Sequence, residues 1–201
     1  MLYAVRDNNK ILAYPKERAE CPACGSTVIS KCGNIIVWHW AHLSNIDCDP
    51  WYEPEKEWHL KWKGIFSPEY VEVSINEHRP DVFLPYKQLW EFQFSPISSN
   101  EIKEREDYYH ERGYALNWLF EVSRYIDNIE FNTHKGSSKN IWFRWKRPHL
   151  TMGMPRRALW DIGDKIFYIK HLSRDCSFGY GEYWSYEFFI SRIFRRYLKR
   201  D

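Results

Sequence analysis

Polar and apolar positions first alternate along residues 2–6 and 10–14, on either side of Asp7-Asn8-Asn9. Period-two alternation puts successive side chains on opposite faces of a strand, and an Asn-rich break between two such runs predicts a β-hairpin. Pro54 opens a helix predicted to run to about Phe66, because proline is tolerated in the first helical turn. Strand-like segments follow at 70–75, 79–84 and 88–94, then a helix over 99–112 and a buried strand in ALNWLFEV at 115–122. NTHKGSSKN at 132–140 reads as a polar loop. The segments IWFRWK and DKIFYIKHL and an amphipathic helix within 184–200 complete the chain.

The chain has 201 residues, 44% hydrophobic and 18% aromatic, enough to bury the core of one or two domains. Charged residues make up 28% with both signs interspersed, which excludes a disordered or fibrous chain. No apolar run reaches the roughly 18 residues of a membrane-spanning helix. The first residues, MLYAVRDNNKILAYP, lack the basic head and apolar stretch of a secretory signal, so a soluble cytoplasmic protein without membrane contact is expected. The net charge of +2 hides an asymmetry: residues 139–201 hold 14 Lys and Arg against 6 Asp and Glu, and residues 1–138 hold 15 against 21. A basic section beside an acidic one suits a polyanionic partner. Five cysteines, an odd number, point to metal binding or free thiols rather than disulfides.

Cys21-Pro22-Ala23-Cys24 is followed after fourteen residues by Trp38-His39-Trp40-Ala41-His42. Thiolates and imidazoles in this pairing are zinc ligands, so Cys21, Cys24, His39 and His42 are the expected Zn²⁺ set. Four protein ligands leave no open position for water, which makes such a zinc structural. The two-residue gap between the histidines is one short of the usual finger spacing, and Cys48, just past His42, is the better spare ligand than Cys32. A cysteine pair and two packed histidines in a module that has lost its metal is the competing reading.

His78-Arg79-Pro80-Asp81-Val82-Phe83-Leu84 and Leu89-Trp90-Glu91-Phe92-Gln93-Phe94 read as two strands. Trp90, Phe92 and Phe94 form a core face, and Glu91 and Gln93 lie opposite. An odd-length turn such as Pro85-Tyr86-Lys87 would make Asp81 and Glu91 cross-strand neighbours, roughly 5 Å apart at Cα. Two carboxylates that close repel unless a cation sits between them, and Mg²⁺ or Mn²⁺ is the natural one. This Pro-Asp, nine residues, then Glu-x-Gln resembles the PD-(D/E)XK nuclease motif. The resemblance implies Asp81 and Glu91 as metal ligands and Gln93 in the place usually held by lysine. Gln93 can orient water or phosphate but cannot accept a proton.

With CPACG, WHWAH, EKEWHLKWK, HRPDVFL, WEFQFSPIS, EREDYY and YALNWLFEV in that order, residues 1 to about 125 resemble the competence protein CoiA family. The resemblance implies an α+β or α/β fold, in which a small zinc-binding β module precedes a restriction-endonuclease-like core whose mixed sheet is flanked by helices. The expected division is 1–50 for the zinc module, 51–130 for the nuclease core, and 131–201 for a basic, aromatic-rich extension. It further implies a role in processing or recombining incoming DNA, or in defence.

On the predicted helix, Glu55, His59 and Lys63 stand at i, i+4 and i+8 and share a face. They are auxiliary candidates, with Lys63 able to supply the cation that Gln93 lacks. In the C-terminal section, Arg144, Lys146 and Arg147 interleave with Trp142 and Trp145, and Arg195 and Arg196 lie off an apolar helical stripe. Charge beside stacking surface suits single-stranded nucleic acid. The expected activity is thus metal-dependent hydrolysis of nucleic acid, DNA foremost. Its rivals are a non-catalytic nucleic-acid-binding protein on a nuclease scaffold and a zinc-stabilised module for a protein partner or homo-oligomer.

Overall fold

The computed structural model describes residues 1–44, 48–133, 140–147, 153–155 and 158–198. The chain divides into two compact units, Met1–Pro85 with Tyr197–Asp201, and Tyr86–Arg196. Among the described residues, no helix is long and apolar enough to cross a membrane.

In the first unit, β1 (Tyr3–Arg6) and β2 (Asn9–Leu12) form the expected hairpin. Its two turn residues, Asp7 and Asn8, have φ of 50° and 62°, the left-handed pair that a two-residue turn requires and that Asn and Asp tolerate. With β3 (Arg18–Glu20), β4 (Thr27–Lys31) and β5 (His39–His42) they make an antiparallel sheet in the order β2-β1-β3-β4-β5. Ala4, Ala19, Val28 and Trp40 fill its core together with Cys21.

Helix α1 (Glu57–Lys63) is shorter than its pattern predicts. It starts late because the Lys56 N–H donates to Nδ1 of His59 at 3.1 Å, closing the first turn, and its C-cap is Gly64. Residues 70–75 are not a strand. A short 3₁₀ turn, Pro68–Tyr70, leads to the isolated pairings Val71↔Val82 and Ile75↔His78, and the backbone between them turns at Glu72, with φ of 51°. β6 (Val82–Leu84) ends this stretch.

The second unit opens with β7 (Gln88–Gln93), α2 (Ser99–Glu111) and β8 (Ala115–Glu121), two parallel strands joined through a helix. The Ser98 hydroxyl accepts from the Glu101 N–H at 3.1 Å and caps α2. There follow β9 (Ile129–Thr133), β10 (Ile141–Trp145), β11 (Ala158–Asp161), β12 (Ile166–Leu172), β13 (Phe178–Trp184) and α3 (Tyr186–Ile193). The strands of this unit run β7-β8-β11-β12-β13-β10-β9, parallel from β7 to β11 and antiparallel beyond, so the protein is mixed α+β. The C-terminal helix is shorter than expected because Trp184 belongs to β13, paired with Ile166.

One face of this sheet carries the aromatic core, with Trp118, Phe120, Phe143, Trp145, Trp160 and Phe167 buried together. Gly179 and Gly181 of β13 point to that face. A Cβ at Gly181 would lie 2.2 Å from the Tyr168 carbonyl oxygen and 2.9 Å from the Phe167 ring; at Gly179 it would lie 2.1 Å from the His171 carbonyl oxygen. Gly181→Ala should therefore cost about 1–3 kcal/mol, the range for overpacking a core. Urea denaturation would measure it, and a wild-type midpoint would show that the strands have room there.

Candidate active site and metal centre

Cys21 and Cys24 lie on a turn that closes through Gly25, whose φ of 70° suits glycine and whose N–H donates to the Cys21 carbonyl at 2.9 Å. This turn meets the end of β5 and the segment after it. The donor atoms of Cys21, Cys24, His42 and Cys48 all lie within 4.8 Å of one another. The Cys21 and Cys48 sulfurs are 3.7 Å apart, and Cys24 Sγ is 3.4 Å from His42 Nε2. A tetrahedral zinc with bonds of about 2.3 Å to sulfur would set its ligands about 3.8 Å apart. The cluster already has that spacing and a soft donor set, so it could hold a structural metal such as zinc.

His39, expected as the fourth ligand, is not in the cluster. Its Nδ1 lies 2.8 Å from the Val37 carbonyl oxygen. On β5, positions 39 and 42 fall on opposite faces, so one strand cannot present both histidines to one ion. Cys48 takes the place. Burial raises the Cys24 thiol, but hydrogen bonds from Ser26 and His42 outweigh it and lower its pKa to about 6. Burial and the neighbouring sulfurs of Cys24 and Cys21 push Cys48 up to about 12. Several thiols in one small space resist ionising together, and a bound cation reverses that resistance.

A second cluster of the first unit centres on Lys63. Its Nζ lies 2.7 Å from Glu55, 2.8 Å from Asp81 and 3.0 Å from Glu72. Glu72 also accepts the backbone N–H groups of Leu2 at 2.9 Å and Tyr3 at 3.1 Å. Burial would drive Lys63 neutral, but the carboxylates of Asp81, Glu55 and Glu72 hold its pKa well above the ordinary lysine value. Burial would likewise raise Glu72, yet Lys63 keeps it well below the carboxylate range. Glu55 goes the other way, raised chiefly by burial. Asp81 is the member that meets solvent, with 15% of its side chain exposed against 3% for Lys63, Glu55 and Glu72.

His59, the middle residue of the expected stripe, is turned away from this group. It serves the helix start through Lys56, and its Nε2 lies 3.5 Å from Glu53. Sequence reasoning missed Glu72 and Asp49. Glu72 is a lone carboxylate within the apolar run YVEVSI, which was its only signal. The buried Asp49 carboxylate lies 3.0 Å from His78 Nδ1 and accepts the Arg79 N–H at 2.9 Å, and Trp51 stacks on the His78 ring at 3.3 Å. These contacts fix the backbone leading into Pro80 and Asp81.

In the second unit, Glu91 and Gln93 pair with Trp118 and Phe120 of β8 and so share their face. The opposite face is packed by α3, with Trp90 4.8 Å from Phe194 and 6.0 Å from Phe189 between ring centroids. Both faces of β7 are thus covered, where the sequence pattern predicts one. Glu91 and Gln93 are buried at 9% and 7% exposure. The guanidinium of Arg105, from α2, lies 3.8 Å from Glu91 and is anchored by Glu101 at 2.5 Å. Gln93 Nε2 donates to the Ser95 carbonyl at 2.8 Å. The three residues between β6 and β7, 85–87, make a turn of the odd length expected, with Tyr86 and Lys87 at φ of 61° and 58°.

Arg144, Lys146, Arg147, Arg195 and Arg196 are all exposed. Trp145 does not interleave with them as a stacking surface. It is 1% exposed and belongs to the core face, while Trp142 and Arg144 alternate onto the outer one.

The model of the competence protein CoiA N-terminal domain matches residues 6–50, and that of the CoiA nuclease-like domain matches residues 56–152. Over 139 residues, 61% of this chain, the sequence is 28% identical to competence protein CoiA of Bacillus subtilis (strain 168), and it spans 36% of that relative's length. No solved structure gives a significant match.

Proposed function

The chain belongs to the CoiA-like family, and on that premise we propose that it is a metal-dependent nuclease that hydrolyses phosphodiester bonds of nucleic acid, DNA foremost. The observation that carries this reading is Asp81. It is a carboxylate at the solvent edge of a buried charge cluster, inside the segment matched by the nuclease-like domain. Its neighbours Glu55, Glu72 and Lys63 are too buried to touch a substrate. Lys63 is a positioning residue: its raised pKa keeps it charged, so it holds Asp81 in place and does not act as a base. In the PD-(D/E)XK reading, Asp81 and Glu91 would hold Mg²⁺ or Mn²⁺. That ion, when bound, would polarise the phosphodiester and acidify the attacking water. Gln93 would orient water or phosphate through its amide. The Cys₃His cluster would hold a structural Zn²⁺ in the N-terminal module. The Bacillus subtilis relative is named a competence protein, which supports a role in competence.

A second reading has its own support. Each proposed metal ligand already has a protein cation beside it, Lys63 at Asp81 and Arg105 near Glu91. Such neutralisation weakens a site for a hard divalent ion, which favours a nucleic-acid-binding protein on a nuclease scaffold.

One experiment decides between them. Plasmid and linear single-stranded DNA are incubated with the protein, with Mg²⁺, with Mn²⁺ or without added divalent metal. The nuclease reading expects metal-dependent cleavage that falls at least ~100-fold in Asp81→Asn and Glu91→Gln, both folded by circular dichroism. Wild type that cuts no faster than Asp81→Asn would leave the binding reading.

A further inference from the structure

The face of the second unit's sheet that carries α3 continues past the helix onto β12, β13, β10 and β9. The register puts Trp142 opposite Tyr180 and Asn132, Arg144 opposite Phe178 and Glu130, and His171 opposite Tyr180. The rings form a connected row. Trp142 is 4.9 Å from Tyr180, and Tyr180 stacks on His171 at 5.5 Å with 20° between planes. Further along, Tyr168 stacks on Trp184 at 4.6 Å, and the Arg192 guanidinium lies 5.8 Å from the Trp184 ring. Trp142 and Phe178 are 38% and 42% exposed, so both rings meet solvent. Beside them lies an open hollow of about 370 Å³, lined by Trp142, Arg144, Phe178, Glu130 and Asn132.

We propose that this outer face binds single-stranded nucleic acid, with bases stacking on Trp142, Tyr180 and Phe178 and phosphates meeting Arg144, Lys170 and Arg192. The composition of the face selects this partner. A docking site for another protein is enriched in Tyr, Trp, Phe, Met and Arg but depleted in lysine, whereas this face sets Lys170 beside its rings. Among the described residues, the exposed side chains of this face are rings and polar or charged groups, with no Leu, Ile, Val or Met. Rings give every base a stacking surface whatever its identity, and cations beside them follow the backbone. A duplex buries its bases and offers this row nothing to stack on. Lys170 and Trp184 are held by the same Glu182 carboxylate, which keeps cation and ring side by side. The glycines of β13 alternate with its outward aromatics, so Tyr180 is presented from a strand whose other face is pressed against Phe143 and Phe167.

The proposal extends the nucleic-acid reading above but does not require hydrolysis, so it is tested by binding alone. Fluorescence anisotropy would use labelled dT15, rU15 and a 15-base-pair duplex with the full chain, without added divalent metal. Wild type should bind the single strands at least 10-fold tighter than the duplex, with dT15 against rU15 showing which sugar is preferred. Trp142→Ala should weaken dT15 binding about 5- to 150-fold, the range for losing one stacked base, and Trp142→Phe should recover most of it. Arg144→Gln, an exposed change, should lower affinity and reduce the salt slope by about 0.7. Unchanged affinity in both Trp142→Ala and Arg144→Gln would overturn the proposal. So would equal affinity for duplex and single strand, or tight binding of a protein partner at this face without any for oligonucleotides.

Discussion

Replacing Lys63 with methionine should cost about 3–5 kcal/mol of stability at neutral pH, the effect of removing one partner from a buried ion pair. For a chain of this size that is a fall in Tm of about 10 °C. The ammonium is the shared partner of Glu55, Glu72 and Asp81, at 2.7, 3.0 and 2.8 Å. Without it, Glu72 keeps the Leu2 and Tyr3 N–H groups, the N-terminal ammonium and Arg79, whereas Glu55 keeps only the N-terminal ammonium against its burial. The pH dependence makes the prediction specific. In wild type, Glu72 sits well below its ordinary pKa of 4.5, so its contribution is complete above that pH and is lost as pH falls through the lowered value. In Lys63→Met, Glu55, which burial raises even beside that ammonium, loses its largest opposing charge. Stability is then greatest when the group is protonated and falls as pH rises above about 4.5. Between pH 5 and 8 the variant should lose stability with rising pH more steeply than wild type, where Lys63 still opposes the rise at Glu55. Thermal melts across that range would test it. Parallel profiles, or a shift under 3 °C at neutral pH, would mean that the cluster is held by something other than this cation.

The second large effect concerns the Cys₃His cluster. Purified protein should carry one zinc per chain, and Cys48→Ser should lose it while His39→Ala keeps it. Structural zinc contributes an apparent ~10–16 kcal/mol in small metal-folded modules at neutral pH. The sheet β1–β5 has a modest core of Ala4, Ala13, Ala19, Val28 and Trp40, so metal loss should melt it. Elemental analysis with circular dichroism checks both parts. Zinc retained in Cys48→Ser and lost in His39→Ala would restore the ligand set read from spacing alone.

Spacing alone brought out Cys21, Cys24 and His42, but the fourth donor beside them is Cys48 and not His39, and the reason is strand parity. An HxxH on a helix can turn two rings to one side, but on β5 the same spacing separates them. The hairpin at Asp7-Asn8, α2 and the buried strand β8 were legible because each is a local pattern: turn chemistry, a capped helix, an unbroken apolar run. Glu72 was not, because its role depends on the N–H groups of Leu2 and Tyr3, some seventy residues away. What lies against Glu91 and Gln93 was not legible for a related reason. One strand's alternation shows which residues share a face, and only the rest of the sheet shows what lies against it. Short strands such as β3 and β11, whose pairing is decided by distant partners, carried too few residues for a period to appear.

Strand β13 has a further consequence for how this surface can change over time. Its inward positions 179 and 181 admit no side chain, while its outward positions 178 and 180 are rings that the interior does not depend on. Drift at the outward positions can therefore retune what the sheet grips without disturbing the packing beneath, and the glycines confine that freedom to one side of the strand.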